Sequence, residues 1–277
     1  MPTIAYLGPE KTNTHAAALK KFGPRARYVH APTVDEVFHL VERQQADYGV
    51  VPIENSLEGA VTHTLDRFTD FKRSPVLIRG ELEQPIRHVL ITRRGAALSA
   101  IRAVYSHPQA LAQCHRWLSH HLPRAQRRET SSTADAVTYV LRERRRGQTA
   151  AIGRRELAGL HRLAALAIPE ERENKTRFLV LGLAEPSPGR RNKTSLLFSL
   201  KDRPGALYDA LVPFKREKIN LTKIESRPSK QKAWEYYFFI DVEGHASEPR
   251  LRRALAALKK STTLLRVLGS YPVANSR

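Results

Sequence analysis

Cysteine is almost missing from this chain. Cys114 stands alone, so no internal disulfide can form, and a reducing compartment suits the composition. Long hydrophobic runs are missing too: none approaches the roughly 18 apolar residues that a membrane span requires. The first residues, Met1-Pro2-Thr3-Ile4-Ala5-Tyr6-Leu7, are too short and lack the basic start of a secretory signal. These absences predict a cytoplasmic protein. The sequence also lacks zinc spacing, a phosphate loop and the spaced glycines of a dinucleotide site, so neither metal nor cofactor is expected. Acidic residues are in deficit, 27 against 47 Lys and Arg, which leaves a formal charge of +20. That charge suits either a nucleic-acid binder or an enzyme whose field gathers anionic metabolites. The basic residues are scattered, with local clusters at Arg124 to Arg128, Arg142 to Arg146 and Arg190-Arg191. With no basic-plus-heptad helix and no aromatic RNA-binding strand motif, the second reading is favoured. No specific nucleic acid and no membrane is expected as a partner.

What is present is an ordinary globular composition, 41% apolar and 27% charged, over 277 residues, enough for two domains. Thr3 to Leu7, Tyr28 to Ala31 and Tyr48 to Ile53 read as strands alternating with helical patterns at Thr14 to Phe22, after Thr33, and at Thr62 to Phe68. That alternation predicts a mostly parallel sheet with helices on both faces. Val76 to Leu82 and His88 to Thr92 are extended. A second small α/β group follows: strands at Val104 to Ser106, Arg127 to Thr130 and Thr149 to Gly153, and helices at Pro108 to His120, Thr133 to Arg145 and Arg154 to Leu160. The chain is expected to return to the first group at Asn174 to Leu183, so that two lobes enclose a cleft. After Pro186-Ser187-Pro188-Gly189-Arg190-Arg191-Asn192, which reads as a linker, the pattern is β-α-β-β-α-β. Its pieces are Thr194 to Leu200, Ala206 to Arg216, Asn220 to Arg227, Trp234 to Glu243, Pro249 to Lys259 and Thr263 to Gly269, with a polar loop from Pro228 to Lys232. That is the ferredoxin-like order.

Four stretches carry chemistry. Val51-Pro52-Ile53-Glu54-Asn55-Ser56-Leu57-Glu58-Gly59 ends an apolar strand and delivers a carboxylate, an amide and a hydroxyl at its carboxyl end, where ligands sit on such sheets. Ser56 equally suits a helix or turn cap. Asn174-Lys175-Thr176-Arg177-Phe178 opens a strand with an amide, a hydroxyl and a guanidinium, donors suited to an oxygen-rich anion. Ser106-His107-Pro108-Gln109, with Gln113-Cys114 further along the helix, is the third; His107 reads equally as a structural histidine and Cys114 as a small buried apolar residue. The fourth is Leu7-Gly8-Pro9-Glu10-Lys11-Thr12-Asn13-Thr14-His15, whose hydroxyls at a helix start suit an anion.

Together these stretches resemble prephenate dehydratase. The resemblance rests on Tyr6-Leu7-Gly8-Pro9-Glu10, on Val51 through Gly59 with Thr64-Leu65-Asp66, on Ile86-Arg87-His88 and on Tyr105-Ser106-His107-Pro108-Gln109. It continues through Ser132-Thr133-Ala134-Asp135-Ala136, Ala150-Ala151-Ile152-Gly153 and Asn174 to Phe178. The last part resembles an ACT regulatory domain, through Arg203-Pro204-Gly205-Ala206-Leu207, Ile219 through Pro228 and Trp234 to Gly244. No chorismate mutase helix bundle precedes the dehydratase, so the monofunctional form is expected.

The resemblance implies a two-lobed, periplasmic-binding-protein-like α/β catalytic region at 1–184 (lobe I about 1–78 and 160–184, lobe II about 79–159), a linker at 185–193 and a ferredoxin-like ACT domain at 194–274. It implies conversion of prephenate to phenylpyruvate without a cofactor, with Thr176, Glu54, Asn55, Ser106 and Gln113 as catalytic residues. Thr12, Thr14, Ser56, Arg177 and Phe178 are implied at the substrate, with Arg177 either a carboxylate clamp or a structural brace. The picture has Thr176 meeting the Glu54–Asn55 pair across the gap between lobes, with a proton supplied by water or by Glu54 if burial raises its pKa. Phenylalanine is implied as effector at Gly205, Ala206, Leu207, Asn220, Glu225 and Ser226, across an interface of a homodimer or homotetramer. Arogenate as substrate, or a noncatalytic amino-acid sensor, are the alternatives. This chain departs from the family pattern at Lys11 and Lys218, where glycine is usual, and at Asn13 and Tyr208. Lys11 there either adopts a glycine-like backbone at a cost, offers a cation to a substrate carboxylate, or points to solvent.

Overall fold

The structure is a computed structural model and describes residues 1–70, 74–143, 147–169, 174–230 and 234–274. The expected end of a helix at Arg145 and part of the loop ending at Lys232 lie outside the described residues. Two compact units form: residues 1–8, 17–84 and 176–277 in one, residues 9–16 and 85–175 in the other.

The chain opens with β1 (Thr3–Leu7), α1 (Asn13–Phe22), β2 (Arg27–Ala31), α2 (Val34–Glu42), β3 (Tyr48–Asn55), the short β4 (Gly59–Ala60), α3 (Thr62–Phe68) and β5 (Leu77–Pro85). Local chemistry sets these boundaries. The Thr33 side chain accepts the Glu36 N–H at the start of α2, whose Val34, Val37, Phe38 and Val41 recur on one buried face. β1 pairs in parallel with β2 and β3. The sheet order is β2-β1-β3-β11-β5, where β11 (Lys175–Gly182) returns from far along the chain. β11 lies antiparallel to β3, so the sheet is parallel only on the side of its first strands.

Between these segments run β6 (Val89–Thr92), β7 (Ala103–Ser106), α4 (Pro108–Gln113), α5 (His115–His121), β8 (Gln126–Glu129), α6 (Thr133–Arg142), β9 (Thr149–Gly153), α7 (Arg155–Leu160) and β10 (Ala164–Ala167). Their sheet has the order β10-β6-β9-β7-β8, parallel for β9-β7-β8 and antiparallel at β6 and β10. The single helix expected from Pro108 to His120 is divided at Cys114, a buried junction residue. His107 is structural in the way that sequence allowed: its Nδ1 accepts the Gln109 N–H at 3.3 Å and caps α4. The strand β10 was not expected, because Ala164-Ala165-Leu166-Ala167 has little β-branched or aromatic character.

The last part contains β12 (Asn192–Leu200), α8 (Ala206–Arg216), β13 (Leu221–Pro228), β14 (Tyr236–Glu243), α9 (Pro249–Ser261) and β15 (Thr262–Pro272), with sheet order β13-β14-β12-β15. This is the antiparallel ferredoxin-like arrangement. Strand alternation divides its side chains between two cores. Leu196, Phe198, Ile240 and Val242 pack with Ala210, Phe214, Leu251 and Leu258 of the helices. Leu197, Tyr237, Phe239, Leu268 and Tyr271 instead join Val51, Ile53, Ile78, Leu179 and Leu181 of the first sheet in one core. The backbones approach closely there: a Cβ at Gly269 would lie 2.1 Å from the Ile78 carbonyl oxygen.

A buried ion network is set into this shared core. Arg177 Nη1 lies 2.8 Å from Asp241 Oδ2 and 3.2 Å from Glu81 Oε2, and Arg177 Nη2 lies 2.5 Å from Glu54 Oε2. Lys193 Nζ donates to Glu81 at 2.8 Å, and Lys223 Nζ lies 3.2 Å from Glu54. Three cations thus meet three carboxylates, with β12, β13 and β14 contributing Lys193, Lys223 and Asp241. Ser195 donates to the other oxygen of Asp241 at 2.6 Å and contacts the Tyr271 hydroxyl at 2.7 Å. Burial works against the charge on Arg177, but Asp241 and Glu81 outweigh it and hold the guanidinium more firmly protonated than usual. Burial, followed by the Asp241 and Glu81 charges, pushes the Tyr271 hydroxyl well above its ordinary pKa.

Removing one member of such a network leaves a buried charge uncompensated, at a cost of about 3–5 kcal/mol. Asp241→Asn is therefore expected to lower the urea and thermal midpoints strongly. Asp209→Asn, which breaks an exposed pair with Arg203, should leave them near wild type. Equal midpoints for the two variants would remove the network from its place in the stability of this fold.

Candidate active site

Thr176 and Asn55 are direct partners in the antiparallel register of β11 and β3, and Arg177 and Glu54 are the next pair. The expected meeting across a gap between lobes is thus corrected: hydroxyl and amide sit on adjacent strands of one sheet. Cross-strand partners share a face, and successive residues alternate faces. Arg177 shares its side with Leu179 and Leu181, toward the sheet of β12 to β15, and Thr176 takes the other side. The register shifts between Arg177 and Phe178, which passes over Ile53. Without that shift Glu54 would share the face of Val50; the extra residue turns it toward Arg177 and leaves Asn55 beside Thr176.

The Asn55 side chain is held at both ends. Its Oδ1 accepts the backbone N–H groups of Leu57 and Glu58, at 3.0 and 3.3 Å, in an Asx turn. That fixes the amide's orientation, so Nδ2 must be the atom that donates to Thr176 Oγ1, at 3.0 Å. A hydroxyl has one proton and two lone pairs. With a lone pair used by Asn55, the proton of Thr176 is directed to another acceptor. Asn55 is buried at 8% exposure and Thr176 is partly buried, so the pair is shielded but not sealed.

Glu54 differs from expectation. Burial pushes its pKa upward, but the charges and hydrogen bonds of Arg177 and Lys223 together outweigh that and hold it below the ordinary value. The carboxylate is ionised at neutral pH and lies on the opposite face from Thr176, so a proton route through Glu54 has neither the proton nor the path. Between the two roles open to Arg177, its three carboxylate partners make it a brace. Phe178 is 1% exposed and packs with Ile4, Tyr6, Val50 and Val180, which makes it a core residue and not a ligand contact. Ser56 is exposed in the turn after β3.

The other expected residues belong to the second unit. Ser106 is fully buried and donates to the Ile152 carbonyl at 2.8 Å, so its hydroxyl ties β7 to β9. Gln113 accepts at Oε1 from His88 and from Asn174. Thr12 Oγ1 accepts the His15 N–H at 3.3 Å, its carbonyl accepts from Arg154, and Thr14 is 6% exposed. Lys11 is exposed with φ 68°, the left-handed backbone that glycine adopts without strain, and its N–H donates to His15 Nδ1 at 2.9 Å. Burial lowers the His15 pKa, opposed by Glu10 and reinforced by Arg154 and Lys11, in keeping with a neutral ring that accepts this bond. Lys218, the other lysine at a family glycine position, likewise has φ 54°.

The expected effector residues divide into two groups within one chain. Ala206 and Leu207, at the start of α8, line a groove of about 670 Å³ whose aromatic wall is Trp234, Tyr236 and Phe238. Gly205, before them, has φ 77° and open space where a Cβ would be. Asn220, Glu225 and Ser226 sit on and before the edge strand β13 and do not line that groove. Sequence reading missed Glu81, Lys193, Lys223 and Asp241; only Asp241, a carboxylate inside the apolar run of β14, carried a local signal. Among the described residues no cluster of His, Cys, Asp or Glu is placed to hold a metal, and no helix is long and apolar enough to cross a membrane.

Comparison with known proteins shows the family. The family model for prephenate dehydratase matches residues 4–186, and the ACT domain model matches residues 194–260. The bifunctional chorismate mutase/prephenate dehydratase of Aquifex aeolicus is 48% identical, over 98% of this chain and 74% of that protein. The prephenate dehydratase of Amycolatopsis methanolica is 36% identical, over 98% of this chain and 88% of its own length. The crystal structure of prephenate dehydratase from Arthrobacter aurescens in complex with L-Phe superposes with a TM-score of 0.88 at 36% identity, covering 99% of this chain and 90% of that one. The chain therefore belongs to the prephenate dehydratase family and carries an ACT domain behind the dehydratase region.

Proposed function

We propose that this chain converts prephenate to phenylpyruvate, carbon dioxide and water, and that the Thr176 hydroxyl donates a hydrogen bond to the departing ring oxygen. The observation behind the assignment is the locked Asn55–Thr176 pair, in which the amide can only donate and the hydroxyl keeps its proton for an acceptor. In the reaction the bond to the ring carboxylate breaks and its electron pair enters the ring as carbon dioxide leaves. The ring C–O bond breaks in turn, and its pair leaves with the oxygen, which takes up a proton to become water. Aromatisation drives the process, so the protein has to hold a dianion and stabilise negative charge on one oxygen. A positioned hydroxyl does this without becoming a full acid, for which its pKa is poorly matched. Water is the remaining proton source, since Glu54 is ionised. Glu54 and Arg177 hold the strands that present the pair, and Gln113, Thr12, Thr14 and Ser56 are proposed contacts to the substrate's other oxygens.

Thr176→Ala is expected to reduce kcat on the order of 10²–10³-fold with the fold intact, read as phenylpyruvate formation from prephenate alongside circular dichroism. A folded variant with near-full turnover would overturn the assignment. Parallel assays with arogenate, whose product is phenylalanine, separate the two substrates. Wild-type protein that turns over neither is a sensor and not an enzyme.

Residues 1–184 are proposed as the catalytic region, 185–193 as the linker and 194–274 as a regulatory domain that takes L-phenylalanine, in a cytoplasmic homo-oligomer. Division of the expected effector residues between the α8 groove and the β13 edge supports a site completed by a second copy of the chain. The edge strand is also tied to the catalytic region: Lys223 pairs with Glu54 of β3, and Arg227, with Lys230 just beyond the strand, pairs with Asp66 of α3, at 3.1 and 2.7 Å. A shift of β13 on effector binding would act through Lys223 on the residue next to Asn55. Lys223→Met should therefore weaken inhibition by phenylalanine severalfold while calorimetry still detects phenylalanine binding. Unchanged inhibition in the folded variant would exclude this route.

A further inference from the structure

The turn between β1 and α1 is tied by a histidine. Since α1 begins at Asn13, Thr12 is its cap and His15 its third residue. Thr12 Oγ1 accepts the His15 N–H at 3.3 Å, and the His15 ring reaches back, its Nδ1 accepting the Lys11 N–H at 2.9 Å. Reciprocal capping usually has Glu or Gln at the third position, bonded to the N–H of the cap itself; here an imidazole reaches one residue further back. A backbone N–H can only donate, so Nδ1 holds a lone pair and the neutral ring carries its proton on Nε2. The bond falls where the backbone is strained, because Lys11 has φ 68°, a conformation that glycine takes freely and lysine does not. The Thr12 carbonyl is held as well, by the Ala16 N–H and by Arg154 Nη1, each at 3.1 Å. Residues 9–16 and Arg154 all lie in one compact unit.

We propose that His15 is a positioning residue for substrate binding, whose unprotonated ring stabilises the left-handed turn at Lys11 and so holds Thr12 and Thr14 where they meet the substrate. The inference rests on the reading that Thr12 and Thr14 contact prephenate. A Glu in this place would accept the same bond, but it would set a fixed negative charge in a loop that has to admit a dianion. The neutral ring avoids that repulsion, and its grip then depends on pH. Protonating Nδ1 turns the bond into two N–H groups that face each other. The hold is therefore present above the pKa of the ring and lost as pH falls through it. The charged groups that act on the ring are Glu10 and Lys11 in its own loop and Arg154 ahead of α7. Burial lowers its pKa below the ordinary 6.5, with Glu10 opposing and Arg154 and Lys11 adding to the shift, so the turn is held throughout the neutral range.

The test uses the full chain and steady-state kinetics with prephenate, the uncatalysed rate being subtracted at each pH. His15→Ala should raise KM about threefold to tenfold, the worth of one hydrogen bond, while kcat and the thermal midpoint stay near wild type. His15→Asn, whose Oδ1 stands about where Nδ1 stood and does not titrate, should recover most of the affinity. Lowering the pH from about 8 to about 5 should carry the wild-type KM toward that of His15→Ala and move His15→Asn less. If His15→Ala does not fold, the comparison of wild type with His15→Asn across this range decides alone. Three results would each sink the proposal: folded His15→Ala with wild-type KM, His15→Asn no better than His15→Ala, or an equal rise of KM at low pH in wild type and His15→Asn. Prephenate turnover by the wild type tests the reaction itself, and a raised KM in Thr14→Val tests the contact between this loop and the substrate. Both can hold while the His15 series fails.

Discussion

The contact on which the rest depends is the grip of three carboxylates on Arg177. A guanidinium inside a protein is tolerated only where its charge is matched and its N–H groups are used. Here the match is supplied from two directions, Glu54 and Glu81 on the catalytic sheet and Asp241 on the ACT sheet. Neither sheet alone would leave this cluster neutral. The apolar core around it, with Leu179, Leu181, Leu197 and Phe239, supplies the gain from burial, and the ions fix how the two surfaces register. Hydrophobic burial is nondirectional, whereas a guanidinium fork accepts carboxylates only in its own plane.

This arrangement lets one strand do two jobs. Thr176 and Arg177 are neighbours in β11, and the pleat sends one to each face of the sheet. Asn55 and Glu54 do the same on β3, once the shifted register has brought Glu54 round. The ion-paired residues and the pair proposed to react are therefore one peptide unit apart, on opposite faces of the sheet.

Much of this was readable in the sequence and some was not. The strands and helices carry strong periodic signals, and the ferredoxin-like order at the end follows from them. Thr176 and Asn55 each stood out as a polar side chain at the end of an apolar strand, and the family resemblance implied that they meet. Lys11 and Lys218 showed their positive φ indirectly, by standing where a glycine is usual. What stayed hidden depended on distant partners. Nothing local says that Glu54 is ionised, because its state is set by Arg177 and Lys223, 123 and 169 positions away in the chain. Phe178 and Arg177 were read as ligand contacts because a motif shows which residues matter without showing which way they face. β10 was missed because an alanine-rich segment becomes a strand only when β6 offers it an edge.

The surplus of positive charge takes on a more definite meaning beside these sites. In the ion network Arg177, Lys193 and Lys223 are matched by Glu54, Glu81 and Asp241, and the groups proposed to meet substrate are hydroxyls and amides. The net +20 therefore resides largely in exposed Lys and Arg, which is where long-range attraction of an anion is generated and where salt screens it. On the proposed reading neutral donors act close to the substrate, where a fixed cation that bound the carboxylates equally in ground state and transition state would lower KM without raising kcat.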